Sequence, residues 1–473
     1  MEKSKAMALA ATLIGLGGLA AGNAAAQQAP PPPVVSPDAL PDVPPTPDGQ
    51  SPFPYFDNYS WRSFIALNWP ALTDPRMRGQ PDRGKPFGDA AGPRVWTTSK
   101  SRAEIFQPGG LAPSAWISYS GQNPCGAGFP NNVVTLSSFT AFGDFNQAVF
   151  SLSNVGNPLI AQTREYARYE ARVNQPEFNS IVQHRWYLAA NLPTPDKAIP
   201  FDTGSTEIKA AWRLLTARDT PAIRARYYVV NGAQVFNVGT RKCEKQDIAL
   251  VGFHIVTKTP DRPQWIWSTF EQVDNVPGRT SEPKPPGGVP LSFNDSQKPQ
   301  ALDPPRRPPA ISPTNPPVVN PNPMQDVRLQ NILDDTMKMN RAYWELPAIK
   351  GTVWQNYMLV MTQWPTQISP EAPSNDGAPT PTSGSEIANT TMETYFQGDG
   401  ASCMVCHQIS NAAGRDFSMF VTMDAFRPHT PAPADSFSAK VTRGRLFQTV
   451  PSSLAEEPMM KSLSQFFDAA GQK

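Results

Sequence analysis

Cysteine and histidine are both scarce in this chain, four of each among 473 residues. A structural zinc site needs several such ligands together, and His184, His254 and His429 each stand alone in the sequence. Charge of one sign is lacking too. Lys and Arg number 41 and Asp and Glu 40, a formal net charge of +1, and no basic run occurs. Such a balance gives no electrostatic footprint for nucleic acid and no polybasic patch for an anionic membrane surface. Beyond residue 22 no apolar run is long enough to span a bilayer. The chain also lacks a nucleotide-binding glycine loop, a nucleophile–base–acid pattern and any internal repeat.

What is present begins with an export signal. Lys3 and Lys5 precede an uncharged apolar run at 6–22, and Ala24 and Ala26 are the small residues a signal peptidase reads. Residues 1–26 are therefore expected to be cleaved before Gln27. Losing Lys3, Lys5 and Glu2 leaves a formally neutral remainder without a transmembrane segment, expected in the periplasm or secreted. Proline, 54 residues, is plentiful but clustered. Residues 27–54 read as a Pro-rich linker, 283–323 as a Pro-rich insertion, and 365–385 as a third cluster. Runs of this kind wrap a surface in extended form or mark boundaries.

Residues 55–385 read as an α+β body on largely antiparallel sheet. Ile208, Ala210, Trp212 and Leu214 alternate with Glu207, Lys209 and Arg213, which predicts a half-buried strand. Asn231-Gly232 between β-rich runs predicts a hairpin with a type I′ turn. Residues 248–258 and 263–275 read as antiparallel neighbours, and 352–364 as another strand. Helices are expected at 164–173, with Tyr166, Tyr169 and Val173 on one stripe, and from an Asn174 cap with Pro176 in the first turn to near Leu188. Leu329, Ile332, Leu333, Thr336 and Met337 give helical spacing for a third. Cys125 and Cys243 are candidates for one disulfide across this body, the alternative being two buried thiols.

The other two cysteines stand in "SCMVCHQIS", residues 402–410. Cys403, Cys406 and His407 fit the attachment sequence of c-type haem. Two thiols add to two vinyl groups on neighbouring porphyrin edges, and two intervening residues let both sulfurs reach. The following imidazole can then serve as proximal iron ligand. A redox-active dithiol would instead want a βαβ setting and a helix starting at the motif. Here Thr390 and Glu393 read as a capping box for a short helix ending before it, with Met392, Tyr395 and Phe396 following.

From Thr390 onward the sequence resembles a small cytochrome c domain: helix, CxxCH, loop-rich middle and a closing helix in "EPMMKSLSQFFDAAGQ", with Pro458 at its start. An α-helical haem-binding domain is thus expected over 386–473. In mono-haem cytochromes c a downstream methionine usually approaches the iron from the far side, and Met459, beside Met460, is the candidate distal ligand. Met419 and Met423 read as core. His429 and His254 are the bis-histidine options, although a histidine on a buried strand, as His254 is, reads first as a hydrogen-bonded core residue. More widely, "WRSFIALNWPA", "EIKAAWR", "GFHIVTKTPDRPQWIWSTFEQVDN", "TVWQNYMLVMTQWP" and "ANTTMETYFQGDGASCMVCH" are similar to a group of large bacterial secreted proteins, the cytochrome c family proteins. The likeness covers most of the mature chain except its Pro-rich segments, and implies a mono-haem electron-transfer or redox role. The expectation is one covalent haem c and single-electron exchange with a redox partner protein. A haem-dependent oxidoreductase acting on peroxide, dioxygen or a small molecule at an open iron stays as an alternative, as does a haem-based sensor or binding protein.

Overall fold

The computed structural model describes residues 30–425 apart from 122, 127–131, 137–144, 149–155, 280–281, 285, 288, 297–304, 313, 368–381 and 398–400. The expected signal segment and the stretch holding His429, Met459 and Met460 lie outside the described residues. The strands are β1 (Lys100–Ser101), β2 (Thr135–Leu136), β3 (Arg168–Val173), β4 (Thr206–Leu214), β5 (Val229–Asn237), β6 (Lys242–Thr259), β7 (Arg262–Gln272) and β8 (Tyr357–Gln363). The helices are α1 (Phe53–Leu67), α2 (Arg102–Ile105), α3 (Gln175–Gln183), α4 (Pro221–Arg224), α5 (Asp334–Trp344), α6 (Cys403–Ala412) and α7 (Met419–Asp424).

All eight strands join one sheet, antiparallel except for β2 against β5. The 18-residue β6 is its spine. It pairs with β4 on one edge, and with β5 and then β7 on the other. The expected α+β class with largely antiparallel sheet is what forms. Side chains alternate across a pleated strand, so the sheet has two distinct faces. On one, Ile208, Trp212, Ile255 and Phe270 pack with Trp61 and Phe64 of α1 and Tyr343 of α5. Ser60 ties α1 down through hydroxyl contacts of 2.7 Å to Ser268 and to Thr362. The other face is covered by residues 385–397 and 401–425.

Several local expectations give way to tertiary pairing. Residues 168–173 form a strand, because β4 offers a full antiparallel ladder, Tyr169 opposite Ala211. The helical stripe was also an alternation, with Tyr169, Ala171 and Val173 on one side and Glu170 and Arg172, ion-paired at 2.7 Å, on the other. Asn231-Gly232 is a bulge inside β5, where the register shifts between Val230 and Ala233. Gly232 does take the left-handed φ of 67° such a turn would need, but its N–H donates to Asp247 Oδ1 at 3.0 Å, and the chain reverses only after Asn237. The Asn174 cap holds, yet α3 stops at Gln183. The third helix starts at Asp334, later than its apolar spacing suggested. No helix forms at 390–396. Thr390 is committed to Glu271, and the Glu393 carboxylate accepts from the Asn389 N–H, not from Thr390.

The Pro-rich segments wrap the body. Residues 30–52, expected as a free linker, form an ordered strap without regular structure; Val43 is buried among Tyr59 and Ile266, and Asp42 Oδ2 accepts from the Asp261 N–H at 2.7 Å. Within 283–323, Phe293 is buried and the Ser292 N–H donates to the Asp274 carbonyl at 2.8 Å. Cys125 and Cys243 are joined in a disulfide, Cα atoms 5.5 Å apart, across a separation of 118 residues. Because the bridge closes so long a loop in the unfolded chain, Cys125→Ala/Cys243→Ala should lose about 2–4 kcal/mol. Denaturant titration reads this, and alkylation of either cysteine in the native, unreduced protein would contradict it.

Candidate functional site

The face opposite α1 and α5 is the floor of a cleft of about 1450 Å³, including the part open to solvent. Strand register lays the floor out in cross-strand rows. One row holds Ala171, Lys209, His254, Thr269 and Met361. The next holds Val173, Glu207, Val256, Trp267 and Gln363. Sequence alternation had placed Glu207 and Lys209 on the polar side of β4; that side faces this cleft.

The roof is the segment carrying the cysteine motif. It is clamped to β7 by a buried network in which Arg328 pairs with Glu271 at 2.8 Å and Glu282 at 3.0 Å. Glu271 also accepts from the Thr390 N–H and hydroxyl, each at 2.6 Å. Farther on, α6 starts at Cys403 because Ser402 caps it, its hydroxyl accepting from the Val405 N–H at 3.3 Å. Gln363 of β8 completes the cap, its Oε1 accepting from the Met404 N–H at 2.9 Å and the Ser402 hydroxyl at 3.1 Å. A helix starting at the motif is the reverse of what the sequence suggested. The βαβ setting of a dithiol enzyme is still absent among the described residues, since this sheet is antiparallel around β7 and β8.

On a helix, positions i, i+3 and i+4 share one face. Cys403, Cys406 and His407 occupy those positions and all line the cleft. His407 Nδ1 lies 2.7 Å from the Phe417 carbonyl, which it can meet only as an N–H donor, leaving the Nε2 lone pair for a metal. Burial lowers its pKa to about 4, and the imidazole is therefore neutral, as a ligand must be. Burial pushes the Cys403 thiol well up and Cys406 to about 12. Redox-active dithiols need a depressed thiol pKa. The donor set thus fits covalent haem, with two thiols and one neutral imidazole directed to one cavity, better than dithiol exchange. Among the described residues no group of three or more His, Cys, Asp or Glu is arranged to hold a bare metal ion.

Other side chains were not where the sequence placed them. Met419 and Met423, expected in the core, line the cleft, because the Ser418 cap starts α7 in a phase that buries Phe420 and Val421 instead. Met423 is 38 % exposed, and Met419 Sδ accepts from the Ser410 hydroxyl at 2.8 Å. His254 is half-buried on the floor; its Nε2 makes no hydrogen bond and lies 3.6 Å from Glu393 Oε2. Burial works to raise the Glu393 pKa, but His254, Lys209 and the Asn389 N–H outweigh it and hold it below the usual value. Lys209 is lowered by burial. Met459 lies outside the described residues; Met361, Met419, Met423 and His254 are the described methionines and the second histidine that share the cleft with His407.

Gly252 sits on the floor beneath the roof turn. A Cβ there would lie 2.1 Å from Thr391 Oγ1, so Gly252→Ala must lift the turn carrying Glu393. The expected cost is about 1–3 kcal/mol, the range for overpacking. An unchanged denaturation midpoint would contradict this packing. No family model, curated protein or solved structure matches the chain.

Proposed function

We propose that this chain is a mono-haem c-type protein, one of the bacterial secreted cytochrome c family proteins, which exchanges single electrons with a redox partner protein in the periplasm or outside the cell. The observation that carries the reading is the placement of Cys403, Cys406 and His407 on one cleft-facing side of α6, with His407 Nδ1 engaged by the Phe417 carbonyl. When bound, haem c supplies a one-electron couple. Cys403 and Cys406 would hold it as thioethers and His407 would ligate the iron. The Trp267 ring packs edge-on toward His407, centroids 6.2 Å apart, and Val256 and Ala171 line the same cleft. The haem unit comprises 386–473, and the sheet serves as its second wall: Met404, Phe417 and Phe420 share a hydrophobic cluster with Val173 and Trp265.

A second reading, chemistry at an open iron, is favoured by the polar trio Lys209, His254 and Glu393 in the cleft. Acid–acetone extraction of protein matured in a haem-attaching host tests the proposal. Colour should stay with the polypeptide, at one haem per chain. Extractable haem would reject it, and ready carbon monoxide binding by the intact reduced protein would favour the open-iron reading over the carrier.

A further inference from the structure

A second set of titratable groups stands at the α3 end of the floor. Glu207 of β4 lines the cleft, and Glu177 of α3 is fully buried behind it. Apart from each other, Glu177 Oε1 and Oε2 and Glu207 Oε1 have no hydrogen-bond partner, and no cation reaches either carboxyl within ion-pair distance among the described residues. Surrounding cations are already engaged. Lys258 of β6 pairs with Asp416 at 2.7 Å, and Arg102 of α2 with Asp424 of α7 at 2.5 Å. Ser418 offers Glu207 a neutral hydroxyl. The remaining charged or titratable groups of the cleft are Lys209 and His254 on the floor and Glu393, Cys403, Cys406 and His407 on the roof.

Glu177 is fully buried and Glu207, half-buried, interacts with it without a counter-charge, so ionising both is costly and the pair retains a proton more readily than either carboxyl alone. Burial, and for Glu177 also the neighbouring Glu207, raises both; Glu207 is pushed up to about 7 and Glu177 well above its usual range. Adding negative charge to the cleft makes a proton on the pair more favourable still.

We propose that Glu177 and Glu207 form the proton-accepting pair of this cleft, taking one proton from water when one electron enters and releasing it when the electron leaves. The electron comes from a one-electron donor protein. One positive and one negative charge enter together, and the interior keeps its net charge. The inference rests on the haem reading of the same cleft.

The test is the reduction potential of the haem-loaded protein as a function of pH. Near neutral pH the reduction equilibrium should shift toward tenfold per pH unit, which is 59 mV for one electron. Glu177→Gln/Glu207→Gln, whose amides mimic the protonated state, should flatten the slope. Reduced-minus-oxidised infrared spectra should show a carboxylic-acid C=O band in the wild type that disappears in Glu207→Gln. A flat wild-type potential, or a slope that persists in the double variant, overturns the proposal. Failure of covalent attachment is detected earlier, by extraction, and overturns the haem reading instead.

Discussion

Arg328→Met should cost about 3–5 kcal/mol of stability at neutral pH, the range for removing one partner of a buried ion pair. The guanidinium is fully buried and serves two carboxylates, Glu271 at 2.8 Å and Glu282 at 3.0 Å, and it also donates to the Ala388 carbonyl at 3.3 Å. Methionine fills the volume but leaves two buried anions facing each other, with Asp326 close by. Without the guanidinium, burial would raise the folded pKa of Glu282 still further above its unfolded value. For an acid the folded state is favoured when protonated, so the penalty is small below the unfolded pKa and grows as pH rises through the folded one. The gap between variant and wild type in urea titrations should therefore narrow as pH falls toward 4. Arg328→Lys should recover only part of the loss, because one ammonium cannot fork across two carboxylates. A neutral-pH loss below about 1 kcal/mol would mean that the network contributes little, contrary to the usual cost of leaving buried charge unpaired.

The second large effect concerns attachment. Cys403→Ala/Cys406→Ala should abolish covalent haem, with all colour passing into acid–acetone. Each single variant should retain one thioether, and the vinyl left conjugated should move the visible band of its pyridine adduct to longer wavelength. The substitutions spare the fold: both cysteines are half-buried, and the α6 cap is made by Ser402 and Gln363. Far-ultraviolet circular dichroism of the double variant should match that of the apoprotein. Covalent haem surviving in it would sink the assignment.

The motif and the strands around it were legible because their signals are local. CxxCH is contiguous, and β4, β6, β7 and β8 announce themselves through alternation or dense β-branched sequence. The floor was not legible. Lys209, His254, Trp267 and Met361 come from four strands and meet only through register. β3 was misread because Tyr166, Tyr169 and Val173 satisfy a helical period while Tyr169 and Val173 also satisfy a strand period, and only pairing with β4 decides. Ser402 directly before the motif could have announced α6, since serine is a favoured cap. The competing box at Thr390 and Glu393 drew attention upstream, although Thr390 serves Glu271.

The cap on α6 also bears on chronology. Ten residues are too few for a helix to persist alone in water. The first-turn Met404 N–H here is satisfied by a side chain from β8, a strand that must first find its place beside β7. During biogenesis, residues 403–407 are therefore flexible peptide until the sheet has closed. On the haem reading, an enzyme that modifies the two thiols would meet them on an open strand, before Trp267 and the floor lie across from them. On that reading the chemistry would precede the architecture, and the sheet would close over a motif already modified.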